Sequence, residues 1–210
     1  MIKKVNIIDY GIGNLRSIQH KLKVIGIEAF IQSNPKNLCN SDALVLPGVG
    51  HFASSMKNLH STGLKPELEK LVLINKIPIL GICLGMQLMM EYSEEGDVQG
   101  LGWLKGKTVK FHTNLFNTPK KVPHVGWNTI NQNKESSILK DLPSDQTFYF
   151  THSYHVECTN NTDIIAKTEY GYSFTSVVHK DNIYGVQFHP EKSHKEGMSV
   201  LRNFIDGALN

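Results

Sequence analysis

Apolar runs alternate with stretches of helical periodicity from the start of the chain. Val5-Asn6-Ile7-Ile8-Asp9 predicts a strand, Tyr10-Gly11-Ile12-Gly13-Asn14 a turn, and Leu15 to about Ile25 a helix. Glu28 to Gln32 predicts a second strand. Ala43-Leu44-Val45-Leu46 predicts a third, ending in the small-residue loop Pro47-Gly48-Val49-Gly50, with a helix expected after it. Met56 to Asn75 has helical spacing interrupted near Gly63 and Pro66. Ile77 to Ile82 then reads as a buried strand and Leu84 to Tyr92 as a helix. Such alternation predicts an α/β fold with a mostly parallel central sheet.

The pattern changes in the second half. Trp103-Leu104, Thr108 to Phe111, Thr147 to Phe150 and Ile164 to Lys167 predict shorter strands joined by polar loops, so additional antiparallel strands are expected. Ile183 to Phe188 is the last strong strand and Gly197 to Leu209 a closing helix. With no linker, repeat or low-complexity tract, residues 1–210 are expected to form one domain.

Composition excludes several classes. Hydrophobic content of 40% and charged content of 20% are those of an ordinary globular protein. A net charge of +3, with basic residues dispersed, gives no nucleic-acid surface. Met1-Ile2-Lys3-Lys4 opens no signal peptide of the usual apolar length, and no stretch approaches the roughly 20 apolar residues of a membrane span. Three cysteines at irregular positions form no disulfide framework, which predicts a reducing, cytoplasmic location. Cys39 and Cys158 are read as structural.

The third cysteine, Cys83, has different surroundings. It stands between a predicted strand and a predicted helix, flanked by Gly81 and Gly85 in a G-x-C-x-G elbow. Small neighbours let the chain turn sharply there, and a helix N-terminus favours the nucleophilic thiolate. A nucleophile needs a base, and His189-Pro190-Glu191 ends the last strand. His and Glu two apart point the same way in extended structure, so Glu191 would orient His189 and complete a Cys-His-Glu triad. That chemistry in its generic form also serves a peptidase or γ-glutamyl hydrolase, or survives unused in a binding protein.

Two competing motifs carry less. His152, His155 and Cys158 are spaced as a zinc site would be on a helix, but the segment is too aromatic and β-branched. As a strand it sends His152 and His155 to opposite faces, so no metal is expected. Gly11-Ile12-Gly13-Asn14-Leu15-Arg16 begins like a dinucleotide fingerprint, yet Arg16 occupies the third glycine position. It is read as a tight strand-to-helix turn. Trp127 and Asn128 are ambiguous, burial being the default for the aromatic.

Gly81-Ile82-Cys83-Leu84-Gly85-Met86-Gln87 with Gln187-Phe188-His189-Pro190-Glu191-Lys192-Ser193 resembles the class I glutamine amidotransferases. Asp9 to Leu15, Pro47 to Gly50, Pro123 to Asn128 and Tyr149 to Tyr154 resemble the glutaminase subunits of imidazole glycerol phosphate synthases. The resemblance spans essentially the whole chain and implies a three-layer flavodoxin-like fold. It implies that Cys83 attacks the side-chain amide of L-glutamine and that His189, oriented by Glu191, protonates departing ammonia and then activates water. It further implies an oxyanion hole from the Leu84 and Val49 backbone, and substrate binding by Gly48, Gly50, Gln87, Glu95 and Ser153. No cofactor is implied. The implied partner is a (β/α)₈-barrel cyclase/synthase in a heterodimer, approached by Gly11, Asn14, Trp127 and Asn128, which uses the ammonia to make imidazole glycerol phosphate and AICAR in histidine biosynthesis. His51-Phe52 after the Pro-Gly-Val-Gly loop, and His155 after Tyr154, depart from the usual pattern. They resemble paralogous amidotransferases of surface-sugar gene clusters, which feed ammonia to a sugar-modifying synthase.

Overall fold

The computed structural model describes residues 4–143 and 145–207. Met1 to Lys3, Ser144 and the predicted helix's last residues, Ala208 and Leu209, lie outside the described residues. The first half follows the βα alternation: β1 (Val5–Ile8), α1 (Leu15–Val24), β2 (Ala29–Gln32), β3 (Ala43–Gly48), α2 (Phe52–Ser61), α3 (Leu64–Glu69), β4 (Ile79–Cys83) and α4 (Leu84–Leu88). Then come β5 (Met90–Ser93), β6 (Val98–Gln99), β7 (Leu104–Lys110), β8 (His124–Thr129), β9 (Asn131–Gln132), β10 (Thr147–His152) and β11 (Tyr154–Cys158). β12 (Ile164–Glu169), β13 (Ser173–Lys180), β14 (Ile183–Val186) and α5 (His194–Gly207) complete the described chain.

The sheet runs β2-β1-β3-β4-β14-β13-β11-β7-β5-β6. Its first five strands pair in parallel, and from β13 onward the pairings are antiparallel except that of β5 with β7. β12 and β9 extend from β13, while β8 and β10 form a separate antiparallel pair. Successive residues of the parallel strands serve opposite faces, as the strand period requires. Val5, Ile7, Val45, Leu80 and Ile82 pack with Ile18 and Leu22 of α1 and Val200, Leu201 and Phe204 of α5. Ile8, Leu44, Leu46 and Ile79 pack instead with Phe52, Met56 and Leu59 of α2 and Leu64 and Leu68 of α3. The result is three layers, helix, sheet and helix, matching the expected class.

Several local expectations are corrected. Pro47 and Gly48 belong to β3 instead of a loop, in register with Ile82 and Cys83. The pairing of β3 with β1 has already ended at Val45, so the missing Pro47 N–H leaves no ladder bond unmade on that side. Pro66 does not interrupt a helix but sits in the first turn of α3, where its lost N–H is harmless; the break is at Gly63, with φ +72°. The helix expected to reach Tyr92 stops at Leu88. The carbonyls of Leu88, Met89 and Met90, which a continuing helix would use, accept N–H groups from Leu101, Trp103, Leu104 and Gly102. Trp103-Leu104 and Thr108 to Phe111 contribute to a single strand, β7. No helix among the described residues is long and apolar enough to cross a membrane.

Candidate active site

β4 and β14 lie side by side in parallel, pairing Ile82 with Val186, so both chains leave the sheet at the same edge. Open parallel sheets gather ligands beyond the carboxyl ends of their strands. β4 delivers Cys83 and the continuation of β14 delivers His189.

Cys83 has φ +53° and ψ −111°, a backbone conformation that typically costs a non-glycine residue about 1–3 kcal/mol. The glycines beside it explain how the turn is made. A Cβ on Gly85 would stand 1.8 Å from the Leu46 carbonyl oxygen, and one on Gly81 would stand 2.7 Å from the Met86 nitrogen. The elbow is therefore packed directly on β3, and only glycine fits these positions.

His189 is held from both sides of its own backbone. Its N–H donates to the Tyr149 carbonyl at 2.9 Å, and its carbonyl accepts from Ser193 Oγ at 2.6 Å. Pro190–Lys192 form a 3₁₀ turn, so Glu191 reaches the imidazole through a turn and not through the extended pair expected from the sequence. Nδ1 of His189 and Oε1 of Glu191 are 2.8 Å apart, and both side chains are 1% exposed. Burial alone would lower the His189 pKa, but hydrogen bonding and charge from Cys83 and Glu191 overcome it and push it up to about 10. Those interactions favour the imidazolium form of the ring. Its Nε2 has no hydrogen-bond partner of normal geometry among the described residues and is free for a reacting group.

In front of Cys83 lies a pocket of about 270 Å³, lined by Val49, Gly50, Leu84, Gln87, Glu95, Pro123 and the segment Thr151 to Tyr154. It thus brings together seven of the residues singled out from the sequence: Cys83, Val49, Gly50, Leu84, Gln87, Glu95 and Ser153. Leu84 opens α4, so its N–H has no acceptor within that helix. Gly48 does not line the pocket; a Cβ added there would stand 2.8 Å from the Gly85 nitrogen, the Leu84 Cβ and the Tyr10 hydroxyl, so the elbow packs against it. Glu95 projects its carboxylate to the start of α2, accepting the Phe52 N–H at 2.8 Å. Gln87 donates Nε2–H to the Tyr154 carbonyl and to Gln187 Oε1, leaving its own carbonyl oxygen as the group available to a ligand.

The remaining candidates lie around this centre. Gly11, with φ +83°, and Asn14 are exposed on the loop after β1. Trp127 is 47% exposed, against the default of burial; it stacks on His194 at 4.9 Å and pairs with Tyr149 across β8 and β10. Asn128 donates to the Glu169 carbonyl at 2.9 Å. His152 and His155 do not diverge to opposite faces, because the chain changes sheets at Ser153; both rings pack on Phe111, at 5.3 and 4.8 Å. His152 Nδ1 faces the Tyr154 carbonyl, so it carries the proton there and its Nε2 accepts from His124 Nδ1 at 3.0 Å. Burial, first of all, depresses all three rings: His124 and His155 to about 4, His152 well below its usual value. Among the described residues no group of His, Cys, Asp or Glu is arranged to hold a metal ion. Sequence reasoning missed Gln187, fully buried, whose Nε2 lies 3.5 Å from the Cys83 sulfur. A lone Gln ending an apolar strand was the available signal, since a polar group buried there must find a partner.

The glutamine amidotransferase class-I family matches residues 6–208. A Methanococcus maripaludis protein named imidazole glycerol phosphate synthase subunit HisH 2 is 48% identical over 205 residues, covering 97% of this chain and 100% of its own. From the same organism, a subunit named HisH 1 is 42% identical over 205 residues, covering 96% and 98%. A solved glutamine amidotransferase shares the fold with a TM-score of 0.76 at 20% identity, covering 97% of this chain and 98% of that one. An elbow cysteine faced by a buried histidine–carboxylate pair, and sequence likeness along nearly the whole chain, lead to one assignment: this protein belongs to the class I glutamine amidotransferases.

Proposed function

We propose that the chain is the glutaminase subunit of an imidazole glycerol phosphate synthase, a single glutaminase domain in the cytoplasm that hydrolyses L-glutamine and supplies ammonia to a (β/α)₈-barrel cyclase. The observation that carries the reading is geometric: Cys83 lines an amino-acid-sized pocket, and the strand beside its own leads into the buried, hydrogen-bonded His189–Glu191 pair. The Cys83 thiolate attacks the side-chain carboxamide carbon of glutamine. Backbone N–H groups of Leu84 and Val49 hold the resulting oxyanion, each such donor being worth about 3 kcal/mol of barrier. His189 Nε2–H then protonates the leaving nitrogen, the C–N bond breaks, and ammonia departs to leave a thioester. Now neutral, His189 takes a proton from water as it attacks the thioester; glutamate leaves and the thiolate–imidazolium pair is restored. Glu191 keeps the ring in register throughout. Glu95 offers a negative charge to the substrate α-amino group, and Gly48, Gly50, Gln87 and Ser153 hold the rest of its amino-acid end. Gly11, Asn14, Trp127 and Asn128 face the synthase.

The decisive experiment combines purified chain, partner synthase and glutamine. Glutamate release should vanish in Cys83→Ala; persistence would overturn the mechanism. A second reading concerns only the acceptor, and what supports it is the departure from the usual pattern at His51-Phe52 and at His155. In that reading the ammonia goes to a sugar-modifying synthase. Formation of imidazole glycerol phosphate with the histidine-pathway cyclase decides for the first reading, and its absence beside intact glutaminase activity decides for the second.

A further inference from the structure

Gln187 follows β14, two residues before His189, and its side chain is wholly enclosed. A buried primary amide presents donors at one end and an acceptor at the other, so its function depends on which way it is turned. Three consecutive contacts decide this. The Tyr154 carbonyl can only accept, so the Gln87 group 2.8 Å away is its NH₂. That same NH₂ lies 3.0 Å from Gln187 and therefore meets the Gln187 carbonyl oxygen. The remaining end of Gln187, its Nε2, is then turned to the Cys83 sulfur at 3.5 Å.

We infer that Gln187 is a thiolate-stabilising residue, donating an N–H to Cys83 and locked in that orientation by Gln87 and the Tyr154 carbonyl. The inference rests on the reading of Cys83 as the nucleophile. The sulfur has two kinds of neighbour. The Thr151 carbonyl, 3.9 Å away, can only accept and so favours the protonated thiol. Gln187 favours the thiolate, since a hydrogen bond to a charged acceptor is stronger than one to a neutral acceptor. The titratable groups around Cys83 are His189, Tyr10 and, lining the same pocket, Glu95, His152 and Tyr154, of which His152 and Tyr154 are both held towards the neutral form by burial. Tyr10 is kept neutral by burial and donates its hydroxyl to the Pro47 carbonyl, so it sets no opposing anion beside the sulfur. His189 takes the proton, while Gln187 stabilises the charge left behind without taking one. No substrate contact is needed for this, because Gln187 does not line the pocket.

The test is the pH dependence of Cys83 alkylation by iodoacetamide in the full chain, resolved by peptide mass from alkylation of Cys39 and Cys158. In Gln187→Met the midpoint should rise by about one pH unit, so that alkylation below the wild-type midpoint slows about tenfold. Gln187→Glu keeps the size and should raise it too, a carboxylate beside the sulfur opposing its ionisation. Either variant, if folded, titrating like wild type would overturn the inference. In the unmutated chain the Gln187 side-chain amide proton should shift in NMR with the Cys83 titration; a stationary resonance would overturn it as well. The readout needs no glutamine, so it fails independently of the proposed function, which Cys83→Ala tests.

Discussion

Nδ1 of His189 and Oε1 of Glu191 meet at 2.8 Å with almost no solvent access to either side chain. Such a carboxylate fixes the imidazole tautomer and orientation, so neutralising it while keeping its shape should disable the base. Glu191→Gln should lower glutamate release in the presence of the synthase by about 10²- to 10⁴-fold with the fold intact. A steady-state assay alongside circular dichroism checks both halves.

The same ring gives the stability profile an alkaline limb. An unfolded histidine titrates near 6.5, whereas folded His189 keeps its proton to about 10. Its contribution is therefore complete below pH 6.5 and is lost as pH rises through about 10. Urea unfolding of wild type and His189→Asn across that range should show the difference between them shrinking with pH. A constant difference would contradict the ion pair.

The opposite sign holds for the buried histidines. His155, pushed down to about 4 by burial, stays neutral while its unfolded counterpart protonates near 6.5. Stability should fall as pH drops from about 6.5 towards 4. In His155→Phe, which keeps an aromatic ring against Phe111 and Phe174, this acid limb should be shallower by one proton's contribution. Tyr172 loses its 2.8 Å partner there but still accepts the His112 N–H, so the hydroxyl is not stranded. Midpoints of thermal unfolding between pH 4 and 7 measure it.

Gly85→Ala drives a methyl group into the Leu46 carbonyl, and backbone cannot retreat as a flexible side chain could. A destabilisation of about 3 kcal/mol or more, at the upper end for overpacking, should appear in denaturant titration. Alkylation of Cys83 should slow with it, because the elbow and β3 must part.

The legible portions of the sequence were those where one pattern has one cause. Val5 to Ile8 and Ala43 to Leu46 are apolar runs bounded by turn residues, and they are strands. Cys83 between two glycines and His189 before Pro-Glu announced a reactive pair through chemistry, independently of any exact boundary. Met86 to Tyr92 misled because methionine, leucine, glutamine and glutamate favour helices, while the hydrogen bonds that end α4 come from residues 100–104. Ser173–Lys180 went unpredicted although it is the strand where the sheet reverses direction. Five consecutive residues of it are buried, so the alternation that marks a half-exposed strand is absent. For Trp127 residue type favours burial while its motif points to an interface, and the structure leaves it 47% exposed on β8.

The pairing of Ile82 with Val186 has one more implication. Cys83 and His189, the proposed nucleophile and base, lie at and beyond the ends of two strands that share one seam, β4 and β14. Sliding that seam by two residues would leave every side chain on its proper face and the core nearly as apolar, yet would shift sulfur and imidazole by about 6.6 Å relative to each other. Ammonia release is thus a gauge of strand alignment, and in damaged or heated protein it should fade before helical content does.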